Sequence, residues 1–191
     1  MILIYGSTAS RKSQIAEDTA MKLAKSSKRE LVYLATMENK SAAAAKRIEH
    51  HRKLRKGKGF TLIEEMYDPS SKLDELNGKV VLLECVSNLL ANVMFEESDT
   101  VSLITGEASC NVDQHISSIA DKVFKRIISM CQTVEKDGTS VVIVTNNIFA
   151  AGKNTDIICD AYMRALGLIN IRLAAASEQF IEVTAGLMQI Y

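Results

Sequence analysis

The side chains best suited to chemistry follow the first apolar run of the chain, in one short polar segment. Its residues are Gly6-Ser7-Thr8-Ala9-Ser10-Arg11-Lys12-Ser13. A phosphate-binding loop has the pattern G-x-x-x-x-G-K-[ST]. Its backbone amides surround a β-phosphate at a helix start, its lysine neutralises phosphate charge and its hydroxyl ligates Mg²⁺. Gly6, Lys12 and Ser13 match, so all eight residues are predicted to bind ATP or GTP, with Mg²⁺ as cofactor at Ser13.

Arg11 stands where this pattern has its second glycine. A β-carbon there strains a backbone conformation that glycine tolerates, and it crowds the amides that approach phosphate. The guanidinium can instead reach the phosphates itself, so we expect nucleotide binding that is weakened or rearranged. The alternative is an ordinary strand-to-helix turn capped by Ser10.

Two further candidates come from other parts of the chain. Glu84 ends an apolar run, a position at which phosphate-loop enzymes have a Mg²⁺ ligand or an activating base. The alternative is that Glu84 caps the helix that begins near Val86. His50 lies in a predicted helix, and a neutral imidazole can attack an α-phosphate to form a phosphoramidate. His51 points about 100° away from it. The alternative for this pair is a solvated basic helix.

Apolar runs and helical periods define the elements that would position these residues. Strands are predicted at 2–5, 31–35, 61–63, 80–83, 141–144, 180–184 and 187–190, and helices at 13–24, 40–54, 86–95, 112–134 and 156–176. Because strands alternate with helices, we predict an α/β fold of the P-loop NTPase-like class. Its mostly parallel sheet would be flanked by helices, with ligands at the carboxyl ends of the strands.

Composition narrows the classes of function. A length of 191 residues, with one proline and no Ser/Gly linker, favours a single domain over 1–191. The 23 basic and 23 acidic side chains cancel, which argues against a nucleic-acid partner. No apolar run reaches the roughly 18 residues of a membrane span, and no signal peptide is recognisable. The four cysteines lie far apart, so we expect a cytoplasmic protein with reduced thiols.

Further motifs follow the loop in a fixed order: Leu34-Ala35-Thr36, Arg47-Ile48-Glu49-His50-His51, Leu82-Leu83-Glu84-Cys85, Val144-Thr145-Asn146 and Gly167-x-x-Asn170-x-x-Leu173-Ala174. Together, over nearly the whole chain, they resemble the adenosylcobinamide kinase / adenosylcobinamide-phosphate guanylyltransferase family. The resemblance implies a P-loop domain, often trimeric. It also implies phosphorylation of adenosylcobinamide, followed by transfer of GMP from GTP through a GMP-histidine. The matching histidine is His50, and the implied nucleotide contacts outside the loop are Thr36, Arg47, Glu64 and Glu84. Ser13 and Glu84 would serve Mg²⁺.

Several polar positions depart from the family pattern. Besides Arg11, Asn147 stands where the family has an acidic residue, and the Arg-Asp pair of the long helix is Met163-Arg164. These departures count against the kinase activity more than against the guanylyltransferase activity. Two hypotheses stay open: a guanylyltransferase with or without kinase activity, and a non-catalytic or weakly active P-loop protein that binds nucleotide or corrinoid.

Overall fold

Seven strands form one sheet in the computed structural model, which describes residues 1–38, 41–96, 104, 112–136, 138–149 and 156–191. Their order across the sheet is β3-β2-β4-β5-β1-β6-β7, and only the β6–β7 pair is antiparallel. The predicted P-loop NTPase-like α/β class is therefore confirmed. The strands are β1 (Ile2–Gly6), β2 (Leu31–Ala35), β3 (Phe60–Glu64), β4 (Val80–Glu84), β5 (Val141–Asn146), β6 (Gln179–Thr184) and β7 (Leu187–Ile190).

The five predicted helices lie close to their predicted positions, and a short helix at Leu73–Leu76 was not predicted. They are α1 (Lys12–Ser27), α2 (Ala42–Arg55), α3 (Leu73–Leu76, after a 3-10 turn at Pro69–Lys72), α4 (Val86–Glu96), α5 (Val112–Glu135) and α6 (Ile157–Ala176). Asp156 caps α6 by accepting a hydrogen bond from the Cys159 amide at 2.8 Å. None of the described helices is both long and apolar enough to span a bilayer.

The central strands are apolar throughout because both faces of the sheet are covered. Successive side chains of a strand point to opposite faces. On one face Leu83 packs in a large core with residues of α4, α5 and α6. On the other face Leu82 packs in a smaller core with Ala16 and Ala20 of α1. No described side chain of α2 belongs to either core.

Parallel pairing brings the carboxyl ends of four strands to one edge of the sheet. The register places Ala35 beside Glu84, Glu84 beside Val144, and Gly6 beside Asn146. The loop that follows β1, the carboxylate that ends β4 and the amide that ends β5 therefore lie next to one another. This is the edge at which open α/β sheets bind their ligands.

Candidate active site

The loop between β1 and α1 is held in place by close packing around Gly6. A β-carbon on Gly6 would lie 2.6 Å from the Val183 carbonyl oxygen and 2.7 Å from Ser10 Oγ, too close for any other residue. The Gly6 carbonyl accepts a hydrogen bond from the Asn147 amide at 2.8 Å. The first glycine of the motif is thus required by the sheet itself.

Arg11 adopts the left-handed conformation that the missing glycine would favour, with φ at +71°. Its side chain points toward the β6–β7 turn. Its Cδ would lie 3.5 Å from a β-carbon if Gly186 of that turn carried one. It is not among the residues that line the cavity next to the loop. The expectation that its guanidinium reaches the phosphates is therefore not supported by this geometry.

Ser10 does not cap α1, which corrects the alternative proposed for this turn. The residue at the cap position is Arg11, and no side-chain hydrogen bond caps the helix. Ser10 is buried, and its Oγ has no hydrogen-bond partner in the described part of the chain. Its carbonyl accepts from the Gly186 amide at 3.1 Å, so the β6–β7 turn supports the loop from behind.

Lys12, Ser13 and Glu84 meet at the edge of the sheet. Lys12 Nζ donates to the Ser7 carbonyl at 3.1 Å, and burial lowers the pKa of its ammonium group. Ser13 Oγ donates to Glu84 Oε1. The two residues expected to hold Mg²⁺ are thus in direct contact, and Glu84 does not serve as a cap for α4.

Tyr33 orients the other oxygen of Glu84. Its hydroxyl donates to Glu84 Oε2 at 2.8 Å. Tyr33 is buried at 4% exposure, and this burial, with the charge of Glu84 adding to it, raises the pKa of its phenol well above the usual range. The phenol therefore stays a neutral donor, and the carboxylate is fixed by two hydroxyl groups.

A cavity of about 480 Å³ opens beside these residues, which is within the ordinary size range of small-molecule sites. It brings together six of the residues predicted from sequence. These are Thr8, Ala9, Lys12, Ser13, Glu64 and Glu84.

Helix α2 supplies the opposite wall with Ile48, His51, Arg52 and Arg55. Their spacing of three and four residues puts them on one face of the helix. His50, predicted as the catalytic residue, is exposed and does not line the cavity. The cavity face of α2 therefore carries His51 instead. The side chain of Arg47 lies outside the described part of the structure.

Two other predicted contacts differ in their surroundings. Glu64 lines the cavity, where its Oε1 pairs with Arg52 Nη2 at 2.7 Å. Thr36 is fully buried and does not line it. The Thr36 hydroxyl donates to the Cys85 carbonyl and accepts from the Cys85 amide, both at 2.8 Å. Thr36 thus supports the end of β4 rather than a ligand.

Of the two polar residues at the end of β5, Asn146 lines the cavity and Thr145 does not. Asn146 lines the cavity and donates through Nδ2 to Ser87 Oγ. Thr145 points to the other face, where its Oγ1 donates to Asn170 Oδ1 at 2.7 Å. The two side chains lie on opposite faces of the sheet because successive side chains of a strand alternate between its faces.

Sequence reasoning missed Tyr33, and the phase that it assigned to α2 put His50 rather than His51 toward the cavity. Ile48 was the available signal for that phase, because it is an aliphatic residue in a polar helix and His51 follows it by three positions. Tyr33 lies within an apolar strand, and only the pairing of β2 with β4 shows that its hydroxyl meets Glu84.

This combination defines the class of the protein. A loop with Gly6, Lys12 and Ser13 joins a buried parallel strand to a helix, and a carboxylate ends a neighbouring strand over a cavity of ligand size. These are the features of a P-loop α/β nucleotide-binding domain.

Comparison with known proteins gives the family. The model of the CobU family, described as cobinamide kinase / cobinamide phosphate guanyltransferase, matches residues 2–190. The chain therefore belongs to this family of kinases and guanylyltransferases of cobalamin biosynthesis. A relative in Escherichia coli (strain K12), the bifunctional adenosylcobalamin biosynthesis protein CobU, is 28% identical over 193 residues, covering 98% of this chain and 97% of that protein.

Proposed function

We propose that this chain transfers a guanylyl group from GTP to adenosylcobinamide phosphate through a histidine of α2, and that the same cavity serves the phosphorylation of adenosylcobinamide. The observation that carries the proposal is the arrangement of the two walls. Lys12 and Ser13 of the phosphate loop face one cavity with His51. Family membership and the preserved Lys12-Ser13 pair support the same activity.

The transfer divides into two displacements on phosphorus. In the first, an unprotonated imidazole nitrogen attacks the α-phosphorus of GTP, a P–N bond forms, and the bond to the β-phosphate oxygen breaks to release pyrophosphate. In the second, a phosphate oxygen of the acceptor attacks the same phosphorus, and the P–N bond breaks to free the histidine. Sequence matching assigned the nucleophile to His50, whereas the cavity wall favours His51.

Ser13 and Glu84 fit the Mg²⁺ that the family implies. A hydroxyl and a carboxylate are hard oxygen ligands, and Mg²⁺ is commonly held by one or two protein groups together with water and substrate phosphates. Among the described residues no group of three or more His, Cys, Asp or Glu side chains is close enough to hold a metal ion. Bound there, the ion would supply charge neutralisation for the phosphates. Tyr33 would keep Glu84 in place for it.

A second candidate function is binding without turnover, favoured by Asn147. Its amide cannot take the place of the acidic side chain that the family has there. On the same grounds we propose that the kinase half is the weaker of the two activities. A homo-oligomer, a trimer by resemblance, is also proposed, supported by the exposed apolar side chains of Leu187, Met188 and Ile190 on the edge strand β7.

The test is incubation with α-³²P-labelled GTP and Mg²⁺, followed by denaturation and treatment with acid or base. A phosphoramidate is acid-labile, so we expect an adduct that survives base and is lost in acid. His51→Ala should reduce the adduct by at least about a thousandfold, while the adjacent His50→Ala serves as matched control and keeps it.

The other outcomes separate the alternatives. Loss of the label in His50→Ala with retention in His51→Ala would restore the assignment made from sequence. Retention in both would remove α2 as the source of the nucleophile. Clear GTP binding by calorimetry without any adduct or product would establish the non-catalytic alternative.

A further inference from the structure

Arg55 differs from Arg52 and Lys53, its basic neighbours at the end of α2. Arg52 pairs with Glu64 at 2.7 Å, and Lys53 pairs with Glu49 at 2.7 Å. The side chain of Arg55 forms no ion pair with any described residue, and its Nη1 is buried without a hydrogen-bond partner. A buried donor on a charged group is costly when it has no acceptor, so the position calls for an anion.

The guanidinium is nevertheless held firmly in one place. Its central carbon lies 3.5 Å from the centroid of the Tyr33 ring, within the range of a cation–π contact. Tyr33 is itself fixed by its hydrogen bond to Glu84. The stacked face of the guanidinium is therefore occupied, while the N–H groups around its edge are left to bind a ligand.

Arg55 lies between two cavities. It lines the cavity next to the phosphate loop and also a neighbouring cavity of about 380 Å³. No residue of the Gly6–Ser13 loop lines the neighbouring cavity. Its apolar part is formed by Tyr33, Phe60 and Leu62, and its charged part is four cations with one acid: Arg52, Lys53, Arg55, Lys56 and Glu49.

We propose that Arg55 binds a phosphate group at a second anion subsite, formed with Tyr33 between the two cavities and separate from the Gly6–Ser13 loop. The proposal deepens the proposed function and rests on it for the identity of the ligand. The planar fork of arginine matches phosphate oxygens in a bidentate manner. Two molecules of the proposed reaction can bring this group: the nucleotide, and the acceptor that carries a phosphomonoester.

The experiment compares Arg55→Met and Arg55→Lys with wild type, and uses Lys46→Met as a matched control, because Lys46 is an exposed cation of the same helix that lines neither cavity. The measurements are the Kd for GTP by calorimetry and the KM for adenosylcobinamide phosphate in guanylyl transfer. We expect Arg55→Met to raise one of these constants at least about tenfold, and Arg55→Lys to raise it less, since a lysine keeps the charge without the fork.

The arms of the experiment identify the source of the phosphate. A raised KM for the acceptor with an unchanged Kd for GTP assigns the subsite to the acceptor, and the reverse pattern assigns it to the nucleotide. If both constants stay within twofold of wild type while circular dichroism shows a folded protein, the proposal is overturned.

Failure of the proposed function is distinguished by a probe that needs no turnover. Inorganic pyrophosphate is titrated into wild type and Arg55→Met in the calorimeter. Weaker binding in the variant supports the anion subsite even if the wild type transfers no guanylyl group. Equal binding in both proteins of pyrophosphate and, by the same method, of adenosylcobinamide phosphate rejects the subsite, whatever the activity of the wild type.

Discussion

The two walls of the cavity are built in different ways. The strand-side wall, which carries Lys12, Tyr33 and Glu84, rises from the buried sheet, and its polar groups bond to one another. The α2 wall carries its functional groups on a helix with no described side chain in either core. Its described contacts to the rest of the protein include the ion pair of Arg52 with Glu64 and the cation–π contact of Arg55 with the ring of Tyr33.

Under the proposed function, the two walls have different tasks. To bind a phosphate group, backbone amides, a cation and a carboxylate must be held in one fixed geometry. A wall anchored in the core can hold them in this way. Covalent transfer needs a nucleophile that approaches phosphorus and afterwards gives up its group. We expect substitutions in the strand-side wall to change stability and binding together, and those in α2 to change chemistry with little effect on stability.

The sharpest test of this contrast is Gly6→Ala. The added β-carbon would lie 2.6 Å from the backbone oxygen of Val183, which cannot move without displacing β6. We expect the free energy of unfolding to fall by about 2–3 kcal/mol, as for other insertions into a packed core. Urea denaturation measures it. Gly167→Ala is the control, since its β-carbon would meet only ordinary contacts at 3.5 Å in α6. An unchanged unfolding midpoint for Gly6→Ala would contradict the conclusion that the strand-side wall is rigid.

Tyr33→Phe should have an intermediate effect. It removes the 2.8 Å hydrogen bond to Glu84 Oε2 but keeps the ring under Arg55. We expect a loss of about 1 kcal/mol in unfolding free energy, typical of one buried hydrogen bond. The Mg²⁺ concentration needed for half-maximal activity should also rise. If the Mg²⁺ dependence stays the same, Tyr33 supports only the fold and does not position Glu84.

The smallest effect is expected for Arg52→Gln in the α2 wall. Its pair with Glu64 is 54% and 45% exposed at the two side chains, so water screens the charges. We expect a change of less than about 0.5 kcal/mol in unfolding free energy, further reduced by salt. Glu64→Gln and the double variant complete a thermodynamic cycle. A coupling above about 1 kcal/mol would mean that the pair anchors α2 more firmly than its exposure suggests.

The fold was largely predictable from the sequence, because buried strands and amphipathic helices leave periodic apolar patterns. Val80–Leu83 and the strand at 141–144 were found on this basis alone. The site was predictable where a local motif carries it, as at Lys12 and Ser13. It was not predictable where two elements must meet. The phase of α2 determines that His51 lines the cavity and His50 does not, and the contact of Arg55 with Tyr33 joins residues 22 positions apart in sequence.

Arg11 shows what a sequence pattern encodes. The glycine of the motif stands for a left-handed backbone with free space on its inner side, and Arg11 meets both conditions by pointing its side chain toward the β6–β7 turn. A search that insists on glycine at this position would pass over the chain, although the shape it describes is present. For distant homologues, the backbone conformation of the loop is thus a better criterion of homology than its amino-acid sequence.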